Sequence, residues 1–583
     1  MNKPTSSAPS DIVRDMARLG EVALFTDPVE IPASVVIALA TRPVDDPDVY
    51  HKGVRIDGAT IVGRLDLADA TLHRPLEFRR CRFTEGVALR DARTRRLVFD
   101  RCDITGDIAA VGAHIAGNFN LSGSTVTGSV ILRGATIDGS LVAERATLDG
   151  NGAAALAADR MTVAGGVFLR QKFSSKGEVR LLGAKIGRDL ECDGGTFDGN
   201  GAKALLADGL LVNGSVVLTD GFSAKGKVSL VTATIESSLF CFYAKLDGNG
   251  ADAFVAEGLS VQRNVFFGFG FSAKGKVDLQ GARIGGDLNC REGSFNGGEG
   301  GEGCALRLEG ATVKGGLTLS GNFRVVGKID LSHATVGTFW DDSASWPAPG
   351  DLDLAGFVYD SIDPRAPLGL TERIEWLGRQ GASFNLQPYE QLAKVLKEMG
   401  RKADARKVHI AKERVRLMDR RTKWNDSAAT NRDLIEWMAH WRRLAVGHAL
   451  DWTLGFGYAL SRVTVWMLAF IILGWVVFYR AGLEGVMVPT SDRVYLGMAW
   501  QQHRTLPPEY PAFNAFVYSI DVFVPLVDLH QEAYWIPTAV PSNPGAEPGL
   551  GRIATIYMWV HIAAGWILTV LGIAGITGLM KRD

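Results

Sequence analysis

Four sets of residues in this 583-residue chain have types and spacings that could do chemistry. The run Asp528-Leu-His530-Gln-Glu532 sets an acid, an imidazole and an acid two residues apart. In a strand these three side chains point to one side, and such donors suit a hard metal ion. In an ordinary polar loop they are simply solvated. Gly221-Phe-Ser-Ala-Lys-Gly226-Lys227 fits the phosphate-loop pattern, but Val228 stands where a hydroxyl would hold Mg²⁺. Gly150-Asn-Gly152-Ala-Ala-Ala155 fits the weaker dinucleotide pattern. Cys192, Cys241 and Cys290 are 49 residues apart and could line a column of thiolates.

The same spacing argues against most of this chemistry. The phosphate-loop pattern recurs at Gly270 to Lys276, and the dinucleotide pattern at Gly199 to Ala204 and Gly248 to Ala253, all in 49-residue steps. Phosphate binding needs a helix after the loop, so that backbone amides converge on the anion. Strand-like sequence follows instead, and no acidic ribose partner is placed as a βαβ unit requires. Both patterns read as turns of a repeat. Zinc ligands come in close pairs, which the cysteines lack. They are expected, with Cys81, Cys102 and Cys304, as buried apolar filler. No catalytic residue and no cofactor is assigned, and Asp528, His530 and Glu532 remain the weak metal candidates.

The elements that carry these residues follow from periodicity. Ile61, Leu72 and Phe83 are eleven apart, as are Ile104, Ile115, Val126, Ile137 and Leu148. The unit Gly58-Ala-Thr-Ile-Val-Gly-Arg-Leu-Asp-Leu67 alternates apolar residues in short runs between glycines, which is a strand pattern. From Leu148 a 49-residue period takes over through Phe197, Leu246 and Phe295. Forty-nine is four elevens plus five, which predicts two coils per long repeat. The fold expected is mainly β: a right-handed parallel β-helix from about Gly53 to Gly337, in a repeat domain over 53–345. Of 68 glycines, 47 fall between Gly53 and Gly337, as a turn-rich array requires. Ahead of it, residues 1–52 are expected as a helical cap, with helices over Ser10 to Phe25 and Pro32 to Leu39 covering the exposed end. Residues 1–25 carry Asp11, Arg14, Asp15, Arg18 and Glu21 and no apolar run of secretory type, so the region before the first span is expected in the cytosol.

Prolines and the fading repeat mark a boundary near 346, and residues 346–445 read as a helical connector. Leu392, Val395, Leu396 and Met399 form one helical face, and Ala403 to Trp424 a second helix, together like a single tetratricopeptide-type hairpin. Residues 401–443 hold thirteen Lys and Arg against six Asp and Glu, a belt expected to meet anionic lipid rather than nucleic acid. The whole chain has a net charge of −1, which gives no general pull toward nucleic acid.

Residues 446–583 read as a membrane module with spans over about 460–480 and 553–580. Leu454 to Leu460 is expected to extend the first span, with Arg462 snorkelling to the interface. Basic residues before the first span and after the second place both termini in the cytosol. The loop 480–552 has four Arg and seven Asp and Glu, as an outside loop should. Within it, 513–529 (FNAFVYSIDVFVPLVDL) is too short to span and is expected as a re-entrant or interfacial segment. Gly565, Gly572 and their small neighbours permit close helix packing and a possible homo-oligomer.

Four stretches carry a resemblance: IPASVVIALATRP, GVRIDGATIVGRLDL, QPYEQLAKVLKEMGRKADARKVHIAKE and FVYSIDVFVPLVDLHQEAYW. With them nearly the whole chain resembles a group of bacterial membrane proteins with pentapeptide-like β-helix repeats, many of which carry the label membrane-associated oxidoreductase. The resemblance implies a multi-pass protein of the bacterial cytoplasmic (inner) membrane and brings no catalytic residues. The residues themselves lend the label no support, with no sound dinucleotide site, haem motif or paired redox cysteine. The first reading is therefore a non-enzymatic, membrane-anchored cytosolic scaffold for an unknown protein partner. The second is an oligomeric pore or small transporter built on the 513–529 segment. The third is an enzyme using Asp528, His530 and Glu532.

Overall fold

The computed structural model describes residues 8–298, 303–381, 385–426, 434–456, 458–459, 461–539 and 549–576. They form two units, Met1–Met399 and Gly400–Asp583.

In the first unit each eleven-residue sequence unit folds as two short strands. Ala59, Ile61, Leu65 and Leu67 point inward and are buried, while Thr60, Val62, Arg64 and Asp66 face out. Two such units close a coil. Leu97–Asp100, Asp103–Thr105, Ile108–Ala109 and His114–Ile115 are followed by Phe119–Asn120, which stacks on Leu97 and Val98. The pairing is parallel and continues for about 13 turns, a β-solenoid. Ile104, Val126 and Leu148 lie in one ladder, and Ile115, Ile137 and Val163 in another. The eleven-residue beat therefore marks alternate walls of one core.

The 49-residue period is two unequal coils. Leu148 pairs with Ser175, then Phe197, Ala224, Leu246, Ala273 and Phe295, in alternating steps of 27 and 22 residues. The longer coil carries the Asp-Gly-Asn-Gly loop. In each copy the Asp side chain (Asp149, Asp198, Asp247) accepts from the backbone N–H of the Asn two residues on, at 2.8–2.9 Å. Those asparagines are left-handed, a conformation Asn tolerates better than most residues. The neighbouring coil supplies Gly275 at φ +116°, where a Cβ would lie 2.2 Å from the Ala251 carbonyl oxygen. Alternation also orders charge. One outward column runs Asp149, Lys176, Asp198, Lys225, Asp247, Lys274. Lys176 meets Asp149 at 3.2 Å and Lys274 meets Asp247 at 3.6 Å. Each exposed pair is worth little, but repeats of one type would stack like charges on neighbouring strands.

Both ends of the ladder are covered. At the N-terminal end, helix α1 (Pro9–Leu19) stops earlier than the expected Phe25, because Gly20 takes a left-handed cap at φ +68°. The next residues join the sheet: Ala23–Leu24 pairs with Ile56 and Asp57, and Glu30–Pro32 with Thr60 to Val62. Helix α2 (Ala33–Ala40) follows. At the C-terminal end, pairing continues to Val358–Ile362, which lies on Thr335–Asp341. Helices α3 (Leu370–Leu377) and α4 (Gln387–Glu398) complete the unit. Gln387 and Gln391, one helical turn apart, donate to the carbonyls of Phe357 (3.2 Å) and Tyr359 (2.6 Å), and Gln387 accepts from Gly356 N–H (3.0 Å). These amides satisfy backbone groups that a further coil would otherwise have met. Beneath them Arg373 and Asp341 form a bidentate ion pair (2.6 and 3.0 Å) with 1% and 2% exposure. Trp346 Nε1 donates to the same carboxylate at 2.7 Å.

The second unit opens with α5 (Lys402–Asp426) and α6 (Leu434–Leu454). The two helices expected as one hairpin thus fall in different units, α4 at the solenoid end and α5 beyond it. Leu454 does not extend the first span upstream. Gly455 and Phe456 are both left-handed and end α6, so α7 starts afresh at Ser461 and runs to Leu483. Short helices α8 (Asp492–Tyr495), α9 (Met498–His503), α10 (Ala515–Phe523) and α11 (Gln531–Tyr534) lead to α12 (Leu550–Ile576). An antiparallel pair, Met487–Pro489 with Trp535–Pro537, closes the segment between the long helices. Two helical stretches, Ser461–Leu483 and Leu550–Ala574, are long and apolar enough to cross a membrane. They turn large side chains outward, among them Leu468, Ile472, Trp475, Trp559, Trp566 and Ile567. The expected end of the second span at Met580, with Lys581 and Arg582, lies outside the described residues.

Replacing Arg373 by Met strands the Asp341 carboxylate in the solenoid's C-terminal cap. The expected cost is about 3–5 kcal/mol, read by denaturant or thermal unfolding, with Arg373→Met plus Asp341→Leu recovering much of it.

Candidate functional site

The metal candidates sit in the turn after α10. Residues 528–530 are not a strand, so the one-sided arrangement that a metal would need does not form. His530 is left-handed (φ +60°) and precedes α11. Its backbone N–H donates to Asp528 Oδ1 at 2.9 Å, and its imidazole Nδ1 pairs with the same oxygen. The Asp528 contact raises the His530 pKa, and the His530 contact lowers that of Asp528. Any stabilisation from this pair is full between the ordinary Asp and His values, and is lost as pH rises through the raised His value or falls through the lowered Asp value. Both side chains are exposed. Glu532 is pushed up by burial, then by the charges of Asp521 and Asp528. Among the described residues no group of three His, Cys, Asp or Glu comes together as a metal set. The acid that organises this turn is Asp521, 5% exposed near the end of α10. Its carboxylate accepts from the backbone N–H of Leu529 (2.5 Å) and Glu532 (2.8 Å).

The cysteines are core filler by position. Cys192, Leu218, Cys241, Phe267 and Cys290 follow one another in equivalent places on successive coils. Successive thiols of this column are two coils apart, about 9–10 Å at the usual strand spacing. Disulfide partners need Cα atoms within about 7 Å. All six cysteines are buried and free, and burial pushes the thiols of Cys192, Cys241 and Cys290 well up and that of Cys304 to about 11.

The polar cluster of the second unit lies elsewhere, among α7, α10 and α12. Asn514 caps α10 by accepting from the N–H of Phe516 and Val517. One turn on, the Ser519 hydroxyl donates to the Ile471 carbonyl of α7 at 2.8 Å. His561 of α12 is fully buried. Its Nε2 lies 3.1 Å from the Ser519 carbonyl and 3.2 Å from the Ser519 hydroxyl, and its Nδ1 lies 3.2 Å from the Tyr557 hydroxyl. A ring protonated at Nε2 donates to the Ser519 carbonyl and accepts from Tyr557, so both nitrogens are satisfied. Two glycines admit this arrangement. A Cβ on Gly474 would stand 2.3 Å from Ser519 Oγ, and one on Gly565 would stand 1.8 Å from the Phe523 carbonyl oxygen.

A serine beside an imidazole is also half of a hydrolytic dyad. Here the hydroxyl hydrogen is engaged by Ile471, a tyrosine rather than a carboxylate meets the second nitrogen, and Ser519 and His561 are both fully buried. The arrangement pins α10 to the two long helices. Ser519 and His561 were not singled out by sequence reasoning. The available signal was a histidine near the middle of an otherwise uncharged run.

Gly565→Ala is expected to destabilise the second unit by about 1–3 kcal/mol, because backbone must move to admit the methyl group. Gly572→Ala meets only Val463 Cγ1 at 3.7 Å and serves as the neutral control. Thermal unfolding of the full chain in detergent reads both. Comparison of the chain with protein-family models, with curated proteins and with solved structures finds no match in any of the three.

Proposed function

We propose that the protein is a membrane-anchored scaffold whose β-solenoid offers a long surface to a protein partner. The observation that carries this reading is the union, in one chain, of a solenoid of about 13 turns with two helices long and apolar enough to cross a membrane. Solenoids suit partner binding because stacked coils give an extended, rigid face. The reading is non-enzymatic, since the polar clusters described above are satisfied within the fold. The loop between the spans lies outside and the solenoid and both termini lie in the cytosol of a bacterium, supported by the basic belt over 401–443. That belt meets anionic lipid at the inner face of the cytoplasmic membrane.

A second reading, an oligomeric pore or small transporter, is favoured by one feature. The short α10 lies between α7 and α12, held by Ser519 and His561. Short helices that do not span are tolerated at membrane depth only where protein or a water-filled path covers them.

Purification of the full chain in mild detergent tests the scaffold. A reproducible stoichiometric partner is expected, and it should be lost when Lys176, Lys225 and Lys274 are all changed to Gln, which removes the charges without stacking acids on neighbouring strands. Recovery of the chain alone, together with ion flux in reconstituted liposomes, would transfer the case to the pore.

A further inference from the structure

One cavity in the second unit is not used by anything above. It measures about 640 Å³ and lies between α5, α6 and the first turns of α7. Arg414 comes from α5, His448, Asp451 and Trp452 from α6, and Ser461, Arg462, Val465 and Trp466 from α7. Its position follows from the break at Gly455 and Phe456, which turns the chain between α6 and the start of the first apolar helix.

The charges in it do not cancel. Asp451 is the single carboxylate, and both its oxygens are held by Arg414 at 2.9 and 3.1 Å. Arg462 donates instead to the Asp451 backbone carbonyl at 2.8 Å. Among the described residues no carboxylate pairs with Arg462 or with His448. Two guanidinium groups face one carboxylate, a surplus of one positive charge with His448 neutral. The remaining wall is apolar and open. Trp452 is 65% and Val465 64% exposed, and the Trp452 and Trp466 rings lie 4.1 Å apart. Indoles at the end of a span mark headgroup depth.

We infer that this cavity binds the phosphodiester headgroup of an anionic phospholipid, with its acyl chains leaving along Val465 and Trp466. A phosphodiester carries the single negative charge that the surplus cation matches, and guanidinium is the side chain best shaped for phosphate oxygens. The cation beside the apolar wall distinguishes a lipid from free phosphate, which has no use for the wall. This inference rests on the reading that α7 and α12 span a membrane, and it adds a specific lipid site to the general basic belt.

The test is native mass spectrometry of the full chain in detergent, with phosphatidylglycerol or phosphatidylcholine added. One phosphatidylglycerol is expected to stay bound in preference to phosphatidylcholine, and excess inorganic phosphate should leave it in place. His448→Glu, at an exposed position with no partner to lose, should lower retention about fivefold by removing the charge surplus. Arg462→Lys, which keeps the charge and loses the planar fork, should lower retention less than His448→Glu does, and Arg442→Gln, in the belt but outside the cavity, should change it little. Equal retention of the two lipids would overturn the inference. So would displacement by phosphate, or an equal loss in Arg442→Gln. If carbonate strips the protein from membranes, the membrane reading itself fails; lipid indifference in an integral protein removes only the cavity site.

Discussion

Coil-to-coil backbone pairing is the constraint on which the solenoid depends. Strands inside the stack bond to the strands above and below them, so each side chain there stands about 4.8 Å from its counterpart on the next coil. Whatever occupies a column is repeated along it. Inward columns must therefore be filled by residues that stack, as Phe173, Phe197 and Phe222 do with ring centroids 5.1–5.3 Å apart. Outward columns must avoid stacking one charge, and the unequal coils of the long repeat achieve this by setting an Asp coil beside a Lys coil. The same pairing leaves unmet backbone groups at the two ends. Strands Ala23–Leu24 and Glu30–Pro32 close one end, and the Gln387 and Gln391 amides close the other.

The second unit solves a different problem with similar means. α10 brings Ser519 and Asp521 into apolar surroundings, where unpaired polar groups are costly. Ser519 is met from α7 and α12, and Asp521 is met by the backbone of its own turn. Glycine at 474 and 565 lets the helices come close enough for these bonds to form. Ser519, Asp521 and His561 thereby fasten α10 in place, and the contact between the serine and the histidine belongs to that packing.

The solenoid was legible because its period repeats over long stretches of the chain. Eleven-residue spacing from Ile104 to Leu148 fixed both the core residues and, with the five-residue excess, the alternation of coil lengths. The metal candidates misled because alternation at Asp528, His530 and Glu532 fits a strand, while the left-handed His530 and the Asp521 carboxylate make a turn there. The caps were partly legible. Amphipathic spacing found α1, but its end depended on Gly20, and the strand after it depended on pairing with residues 56 and 57, far along the chain. The Ser519–His561 contact joins residues 42 apart across two helices, and no local pattern announces such a contact.

The central proposal is that one chain places a solenoid on one face of a membrane and the loop between two spans on the other. All six native cysteines are buried, so an introduced surface thiol reports its own position. Lys225→Cys on the solenoid and Glu509→Cys in the loop, both at exposed positions, are treated in intact spheroplasts with a membrane-impermeant thiol reagent. The account predicts that Glu509→Cys reacts at once and Lys225→Cys only after lysis. Equal reaction of the two in intact spheroplasts, or equal protection, would contradict it.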